Sequence, residues 1–316
     1  MVARPVARRR RAGGAGDAIF RALVTSAGVF VLLLLGAIIV LLFVGGLPEF
    51  EAAGPGFLFS SSWNPVTERF GALVSVYGTV VTSILALIMA VPLAFGVAYF
   101  LTELAPIWLR RPIGTAVELL AAVPSIIYGM WGFFQLAPWL IVTLQPALEH
   151  TLGRVPGLAP IFKPIAGNSS IFTAAMVLAI MIIPFISATM RDVFLTVPPM
   201  FKESAFGLGC TTWEVMRRIV LPYTSTSVIG GIMLGLGRAL GETMAVTFVI
   251  GNTNRISTSI FAPGNTIASL VALEFPEADQ GSLHLSALMA LGFILFVISF
   301  IVLSISRLLL QPRVRT

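Results

Sequence analysis

Charged residues are scarce in this chain. Of its 316 residues, only 11% are Asp, Glu, Lys or Arg, whereas 57% are hydrophobic. Because a soluble domain carries about 25% charged residues, this composition excludes an ordinary soluble domain and predicts a polytopic membrane protein whose main solvent is lipid. We therefore interpret the formal net charge of +6 as a sign of membrane orientation and not of nucleic-acid binding.

Cysteine and histidine are nearly absent as well. The single Cys210 allows no internal disulfide, and neither His150 nor His284 has a Cys or His partner at ligand spacing, so we predict no metal site. A phosphate-binding P-loop needs the pattern Gly-x-x-x-x-Gly-Lys-Ser/Thr, whereas the two lysines here, Lys163 and Lys202, each follow a phenylalanine. The chain also shows no Ser/His/Asp set and no paired carboxylate site. We therefore expect no enzymatic activity and no cofactor.

Long apolar runs are abundant. The first extends from about Leu23 to Val44, which is too long for a signal-peptide core and long enough to span about 30 Å of hydrocarbon. Five similar runs follow, at about 76–101, 113–144, 171–190, 226–250 and 285–306. The sequence therefore predicts an all-α polytopic membrane protein with six transmembrane helices, of which Pro124 should kink the third.

The basic residues are distributed unevenly over the predicted loops. With the N-terminus in the cytoplasm, fifteen of the 20 Lys and Arg residues lie inside and four lie outside, while Arg238 lies within the fifth segment. Because cytoplasmic loops carry the excess of Lys and Arg, both termini are predicted to be cytoplasmic, with the 251–284 loop outside.

The only large cytoplasmic loop in this topology is 191–225, which contains the stretch "KESAFGLGCTTWEVMRRIVLP". It is longer than a plain connection between helices requires. Gly209 predicts an elbow, Thr212 should cap a helix after it, and Pro222 should end that helix before the fifth segment begins. Apolar side chains exposed there would indicate a protein partner; the alternative is that they fold back on the bundle or lie on lipid headgroups.

The loop resembles the EAA loop of ABC importer permeases, whose signature is Glu-Ala-Ala, a spaced Gly and Ile-x-Leu-Pro. The matching positions are Glu203, Ser204, Ala205, Gly209, Ile219, Leu221 and Pro222. The one departure is Ser204 in place of the first Ala, which exchanges one small residue for another. In that family the loop forms a coupling helix that docks on an ATPase subunit. The resemblance therefore implies that these residues build the docking helix and that ATP hydrolysis belongs to another chain.

Two further stretches, "AAVPSIIYG" (121–129) and "LGRALGETMAV" (236–246), resemble the phosphate-specific, PstC-type branch of these permeases. This resemblance covers nearly the whole chain and implies a place in the cell membrane of a prokaryote, with inorganic phosphate as substrate. It also implies the partners of that branch: a second permease (PstA-type) forming a heterodimer with this chain, two ATPase subunits (PstB-type) and an extracytoplasmic phosphate-binding protein (PstS-type).

The resemblance also divides the chain. The later five segments form a type I ABC importer permease core, and the first segment is an additional N-terminal helix. The expected parts are a basic cytoplasmic tail over 1–20, the first transmembrane helix over 21–46, an extracytoplasmic loop over 47–75, the core over 76–308 with coupling loop 191–225, and a cytoplasmic tail over 309–316.

Two charges lie inside the fifth apolar segment. If that helix begins near Thr226, Arg238 lies roughly 18 Å along it, close to the middle of the bilayer. An arginine there costs about 2.5–3.5 kcal/mol on insertion scales. Glu242 follows four residues later, so a continuous helix would place both charges on one face, where they can pair. The simplest interpretation is a structural ion pair.

A functional interpretation uses the same two residues. Small residues share the helix face of Arg238: Gly231, Gly235 and Ala245. Other glycines form an adjacent stripe: Gly230, Gly237 and Gly241. We expect the first face to leave room for a hydrated anion and the second to pack against another helix. A guanidinium binds two phosphate oxygens at once, and a nearby carboxylate would keep that binding weak enough for release. Arg238 and Glu242 are therefore the predicted substrate-pathway residues, and the resemblance places transport-essential charges at the same positions.

The sequence thus predicts a permease subunit of an ATP-driven inorganic phosphate importer, which forms half of the translocation pathway. One alternative is a permease for another oxyanion, sulfate or molybdate, because such permeases share the coupling loop. Another is an ATP-independent secondary transporter that uses its intramembrane Glu as a proton site, although internal repeats, common in such folds, are not visible here. A third is a membrane sensor or assembly scaffold that transports nothing.

Overall fold

The computed structural model describes residues 15–165 and 167–310. Of the predicted tail over 1–20, residues 1–14 lie outside the described residues. Of the predicted tail over 309–316, residues 311–316 lie outside them.

Within these ranges the chain is almost entirely helical, and its one β-type pairing is an isolated bridge between Asn64 and Arg69. The α-helices are α1 (Ala15–Ala53), α2 (Gly56–Phe59), α3 (Leu73–Tyr99), α4 (Ile107–Ala121), α5 (Ser125–Trp131), α6 (Ala137–Trp139), α7 (Gln145–Thr151), α8 (Ile171–Leu195), α9 (Pro199–Gly207), α10 (Thr212–Val215), α11 (Leu221–Leu240), α12 (Met244–Ile250), α13 (Ile267–Glu274) and α14 (Leu283–Leu310). Shorter π-helical turns are Phe100–Leu104, Gly132–Leu136, Leu140–Leu144 and Met216–Val220, and 3₁₀ turns are Leu152–Arg154 and Phe275–Glu277.

Six helical stretches of the described chain are long and apolar enough to cross a membrane. They are Gly16–Ala53, Leu73–Leu104, Ser125–Arg154, Ile171–Leu195, Thr212–Leu240 and Leu283–Ser306. This number and the helical architecture confirm the prediction of an all-α protein with six transmembrane helices, the first of them near the N-terminus.

The helices pack into two hydrophobic cores. The larger core is centred on α8, which packs against α3, α4, α11 and α12 and carries fully buried side chains such as Ile182, Ile186 and Phe194. The smaller core lies where α1 packs against α14 and includes residues of α2 and α13. Glycines allow the backbones of α1 and α14 to approach closely, because a Cβ at Gly46 would lie 3.0 Å from the Cα of Ala290.

Helix α1 is longer than the predicted 21–46. It continues to Ala53 with Pro48 inside it, so it takes up the first part of the predicted 47–75 loop. The rest of that loop is tied to α13 and α14 through Glu274. Trp63 Nε1 donates to Glu274 Oε2 at 2.8 Å, and His284 Nε2 lies 2.8 Å from the same oxygen.

Two predicted segments are wrong in their bounds. The third, expected as one kinked helix over 113–144, is divided at Ala122–Pro124, and its spanning part is Ser125–Arg154. The fifth, expected over 226–250, spans Thr212–Leu240 and is followed by a separate α12. The first break has a physical cause, since proline disfavours the helical conformation of the residue before it. The second begins at a glycine, which has a low helix propensity.

Candidate functional site

The first signature stretch contains the break between α4 and α5. Pro124 has an extended conformation (φ −57°, ψ 134°), and α5 begins at Ser125. The Tyr128 hydroxyl, on the first turns of α5, donates to the carbonyl oxygen of Leu120 in the last turn of α4 at 2.8 Å. Terminal carbonyls of a helix have no partner within the helix, so this bond satisfies one of them and fixes the geometry of the break.

The second signature stretch contains the break between α11 and α12. Helix α11 ends at Leu240, Gly241 is its C-cap (φ −95°, ψ 0°), and α12 starts at Met244. Arg238 is in the last turn of α11, whereas Glu242 lies in the non-helical link. The predicted one-turn ion pair between them is therefore wrong: the four-residue spacing places two side chains on one face only in a continuous helix, and the ion pairs of the described chain do not include this one.

Each of the two charges lies instead at the end of a different helix. Arg238 is near the C-terminus of α11, where the helix dipole favours a positive charge. Glu242 precedes the N-terminus of α12, where a carboxylate is favoured, and its Oε1 accepts a hydrogen bond from the Ala245 backbone N–H at 3.4 Å. The helix ends thus stabilise both charges without an ion pair between them. The Arg238 guanidinium is exposed, so its N–H donors are accessible to a ligand.

The two breaks lie against each other. Helices α5 and α12 are in contact, and a Cβ at Gly129 would lie only 2.9 Å from the Cα of Ala245, so the backbones touch at this crossing. The two signature stretches, more than a hundred residues apart in sequence, therefore form one site with a cation, a carboxylate and a hydroxyl around interrupted backbone. Irregular backbone at membrane depth is tolerated where it is buried in protein or lines a water-filled cavity.

The glycine faces of α11 have roles opposite to those predicted. A Cβ at Gly231 or Gly235 would lie 2.8 or 2.7 Å from side-chain atoms of α8, so this face is a packing surface and holds no anion. Among the described residues no atom of another helix lies within 4 Å of a Cβ built on Gly230 or Gly237. The open face of α11 is therefore the stripe of Gly230 and Gly237, beside the exposed Arg238.

Much of the predicted coupling loop 191–225 is helical, because α8 continues to Leu195 and the helix that leads into α11 starts at Thr212. Helix α9 lies between them. Glu203 and Ser204 are exposed on α9, and Ala205 is buried.

Gly209 ends α9 in a Schellman motif. The Cys210 N–H donates to the Ala205 carbonyl at 3.1 Å, and the Gly209 N–H donates to the Phe206 carbonyl at 2.9 Å. Gly209 has φ +85°, the left-handed conformation that this motif requires and that glycine adopts without steric cost. The predicted elbow at Gly209 is thus present in the backbone.

An apolar surface surrounds this turn. We call it the α9 tip; it is formed by the exposed side chains of Met200, Phe201, Phe206 and Leu208. Of the other apolar residues nearby, Met216 is fully buried, whereas Trp213 is half exposed although its ring makes edge contacts with Phe95 and Tyr99 of α3.

The helix after the tip begins one residue earlier than predicted and does not end at Pro222. Its N-cap is Thr211, which forms a capping box with Glu214. The helix continues through the π-helical turn Met216–Val220 directly into α11. This turn explains why Pro222 does not terminate it: the wider π-helical spacing accommodates a residue that lacks an N–H and clashes with the preceding turn of an α-helix. Ile219 and Leu221 are half-buried on this helix and Pro222 is exposed.

Ion pairs that sequence reasoning missed lie at the same end of the bundle as α9. Lys202 Nζ lies 2.6 Å from Glu103 Oε1, and Arg191 Nη2 lies 2.7 Å from Glu118 Oε1 and 3.1 Å from Asp192 Oδ1. The sequence does contain a signal for these pairs: Glu103 and Glu118 are single carboxylates in otherwise apolar stretches, "FLTELAP" and "TAVELLA". Tyr128 lies within the first signature stretch, but the sequence alone does not indicate its bond across the break.

Comparisons with known proteins agree with this architecture. The family described as "Binding-protein-dependent transport system inner membrane component" matches residues 90–316. A protein named "Phosphate transport system permease protein PstC" from Mesorhizobium japonicum is 57% identical over 295 residues, which cover 93% of this chain and 90% of that relative. A protein of the same name from Pasteurella multocida is 56% identical, with 93% of this chain and 92% of the relative covered.

Among solved structures, the chain is similar to one in the crystal structure of a bacterial alginate ABC transporter in complex with an alginate pentasaccharide-bound periplasmic protein. The TM-score is 0.63 at 15% identity, with 95% of this chain and 96% of that chain covered. At this identity the likeness concerns the fold alone.

Proposed function

The chain belongs to the family of binding-protein-dependent transport system inner membrane components, among the phosphate permeases of the PstC type, and from that premise we propose that it forms half of the translocation pathway of an ATP-driven inorganic phosphate importer. As a component of an ABC transporter it is a permease and not an enzyme.

One observation carries the proposal for the pathway. Arg238 is an exposed cation at a helix break inside the membrane-spanning region, it has no ion pair within the described residues, and it lies beside the open glycine stripe of α11. A free guanidinium binds an oxyanion bidentately. Discontinuous helices are also where transporters place substrate sites.

Glu242 and Tyr128 adjust how strongly Arg238 holds the anion. Glu242, close in sequence but not paired with Arg238, weakens anion binding by like-charge repulsion, so that phosphate is passed on and not retained. Tyr128 holds the first break in shape. The open stripe of α11 then faces the second permease subunit, which completes the pathway.

Helix α9 is the element proposed to dock on the ATPase. Its support is the apolar α9 tip, because exposed apolar patches of this kind mark protein interfaces, together with the resemblance of Glu203, Ser204, Ala205, Gly209, Ile219, Leu221 and Pro222 to the EAA signature. We expect Ala205 and Gly209 to shape the docking helix and the exposed Glu203 and Ser204 to contact the ATPase. The half-buried Ile219 and Leu221 anchor the helix that follows.

The partners proposed are a PstA-type permease as the other half of the heterodimer, two PstB-type ATPase subunits and a PstS-type phosphate-binding protein outside. Both termini and α9 then lie in the cytoplasm, as the distribution of basic residues indicates. A cysteine at the exposed Gln280, introduced after Cys210 is replaced, should react with a membrane-impermeant maleimide added to intact cells. Reaction only after the membrane is opened would contradict this topology.

Substrate choice is tested by competition. Liposomes that contain the assembled complex and its binding protein should accumulate radiolabelled phosphate when ATP is supplied to the ATPase side, and excess sulfate or molybdate should not reduce that uptake. Preferential uptake of sulfate or molybdate would assign the chain to another oxyanion. Uptake that a proton gradient drives without ATP would support a secondary transporter, and absence of any uptake would leave only a non-transporting role.

A further inference from the structure

Helix α9 is attached to the bundle by few side chains. Ala205 is buried on its inner side, whereas Glu203, Ser204 and the residues of the α9 tip face outward. Lys202 is the charged residue of α9 that points inward, and in the described chain it makes the only ion pair between α9 and the rest of the bundle.

The Lys202–Glu103 pair is shielded from solvent. The two side chains are 17% and 10% exposed, and the distance from Nζ to Oε1 is 2.6 Å. Screening by salt and water weakens exposed pairs much more than partly buried ones, and removing one partner of a buried pair leaves an uncompensated charge. This contact therefore holds α9 in a defined position, unlike an ion pair on the surface.

Lys202 reaches two helices at once. In addition to Glu103, its Nζ lies 3.5 Å from the carbonyl oxygen of Phe194, in the last turn of α8. Carbonyls in that turn lack a partner within the helix and are favoured by a nearby cation. The ammonium group thus joins α9 to the ends of both α3 and α8.

Glu103 owes its position to the π-helical turn Phe100–Leu104 at the end of α3. The Ala105 N–H closes this turn by donating to the Phe100 carbonyl at 2.7 Å. A π-turn adds one residue to the helix and thereby rotates the side chains after it by about 100°. Such turns are frequent at functional sites, and here the turn directs a carboxylate toward α9.

The opposite end of α3 is fastened as well. The Ile267 N–H donates to Thr79 Oγ1 at 2.9 Å, and Gly78 lies directly against the backbone of Asn265. Helix α3 therefore connects α9 at one end of the bundle to the segment before α13 at the other.

We infer that Lys202 and Glu103 are a positioning pair that transmits movement of α9 to α3. The inference rests on the proposed function, in which an ATPase moves α9. With the pair intact, α3 and α8 follow α9 together, and the movement reaches the far end of α3. Without it, the ATPase still docks on the α9 tip and hydrolyses ATP, but α3 no longer follows.

The test measures phosphate taken up per ATP hydrolysed by the complete complex in liposomes, with phosphate-loaded binding protein present. Lys202→Met and Glu103→Gln should each lower this ratio about tenfold, with ATPase association unchanged. The double variant should be no worse than either single variant, because all three remove the same contact. The swap of Lys202→Glu with Glu103→Lys should recover most of the wild-type ratio. Arg111→Met, which removes an exposed cation at the same end of the bundle, should change nothing.

A wild-type ratio in either single variant would overturn the inference, as would losses that multiply in the double variant. If the single variants fail to assemble, the variant with both charges exchanged is the test. If that variant assembles but takes up little phosphate per ATP hydrolysed, the attraction between residues 202 and 103 is not what transmits the movement. A wild-type complex that takes up no phosphate at all would overturn the proposed function and this inference with it.

Discussion

Arg191 and Arg238 lie on two helices that pack together, α8 and α11, but their surroundings are opposite. Arg191, at the α9 end of the bundle, is partly buried and paired with both Glu118 and Asp192. Arg238, at the break after α11, is exposed and belongs to none of the ion pairs of the described chain.

The difference separates charges that hold the fold from a charge that is available to a ligand. At the α9 end the cations Arg191 and Lys202 are neutralised by carboxylates from other helices, so they fix helix positions. At the break, Arg238 has only the end of its own helix to stabilise it. Removing charges at the α9 end should therefore affect stability and coupling, whereas removing Arg238 should affect the passage of the anion.

The largest expected effect is at Arg238. Arg238→Gln should lower ATP-driven phosphate uptake by about a hundredfold, because it removes a charge-assisted contact worth about 1.5–3 kcal/mol. The complex should still assemble, since the side chain makes no ion pair that holds the fold. Uptake into liposomes measures transport, and co-purification of the ATPase measures assembly. If the variant no longer co-purifies with the ATPase, Arg238 is a structural cation like Arg191.

A smaller effect is expected at the α9 tip. Gly209→Ala should weaken ATPase association by about tenfold, because a side chain at φ +85° costs about 1–2 kcal/mol. The matched control is Gly207→Ala, which adds the same methyl group within α9, where φ is not positive and open space surrounds the site. Equal affinities of the two variants in a binding assay with the isolated ATPase would argue against α9 as the docking element.

Tyr128→Phe sharpens the description of the break. It removes the hydrogen bond to the Leu120 carbonyl and should lower uptake by about fivefold, in line with roughly 1 kcal/mol for one hydrogen bond. The control is Tyr223→Phe, which removes an exposed hydroxyl on α11 away from the break. Unchanged uptake in Tyr128→Phe would show that the geometry of the first break does not matter for the pathway.

The smallest effect on uptake is expected at Arg191. Arg191→Gln should leave the uptake of assembled complex nearly unchanged but destabilise the subunit by about 1 kcal/mol, a modest value because both carboxylate partners are more than half exposed. Thermal unfolding of the detergent-solubilised subunit measures this. A variant with full stability and reduced uptake would reverse the contrast between the two arginines.

Much of the fold was predictable because lipid imposes a simple rule on sequence. Each span must be a long apolar helix, so hydropathy alone located all six. The elbow at Gly209 was predictable too, since a glycine placed between helix-compatible stretches has a local structural meaning.

The helix breaks were not predictable from periodicity. A proline or glycine inside an apolar run is compatible with a kink, a π-turn or a complete break, and packing decides among them. Pro222 remains inside a helix because a π-turn precedes it, whereas Pro124 begins a new helix after an interruption. The expected pair between Arg238 and Glu242 depended on a continuous helix through Gly241 and is therefore absent. The α11 glycines precede this break, and their roles were set by packing against α8, which periodicity does not show.

The most direct test of the account exchanges the two charges at the break. The complex with Arg238→Glu and Glu242→Arg keeps the net charge and any attraction between the two positions, but it moves the cation from the end of α11 into the link before α12. We predict that this complex assembles with the ATPase and takes up phosphate only at the background rate of liposomes without ATP. Wild-type uptake by the exchanged protein would contradict the account, because it would show that the two residues act as a structural pair and that the anion does not depend on the position of Arg238.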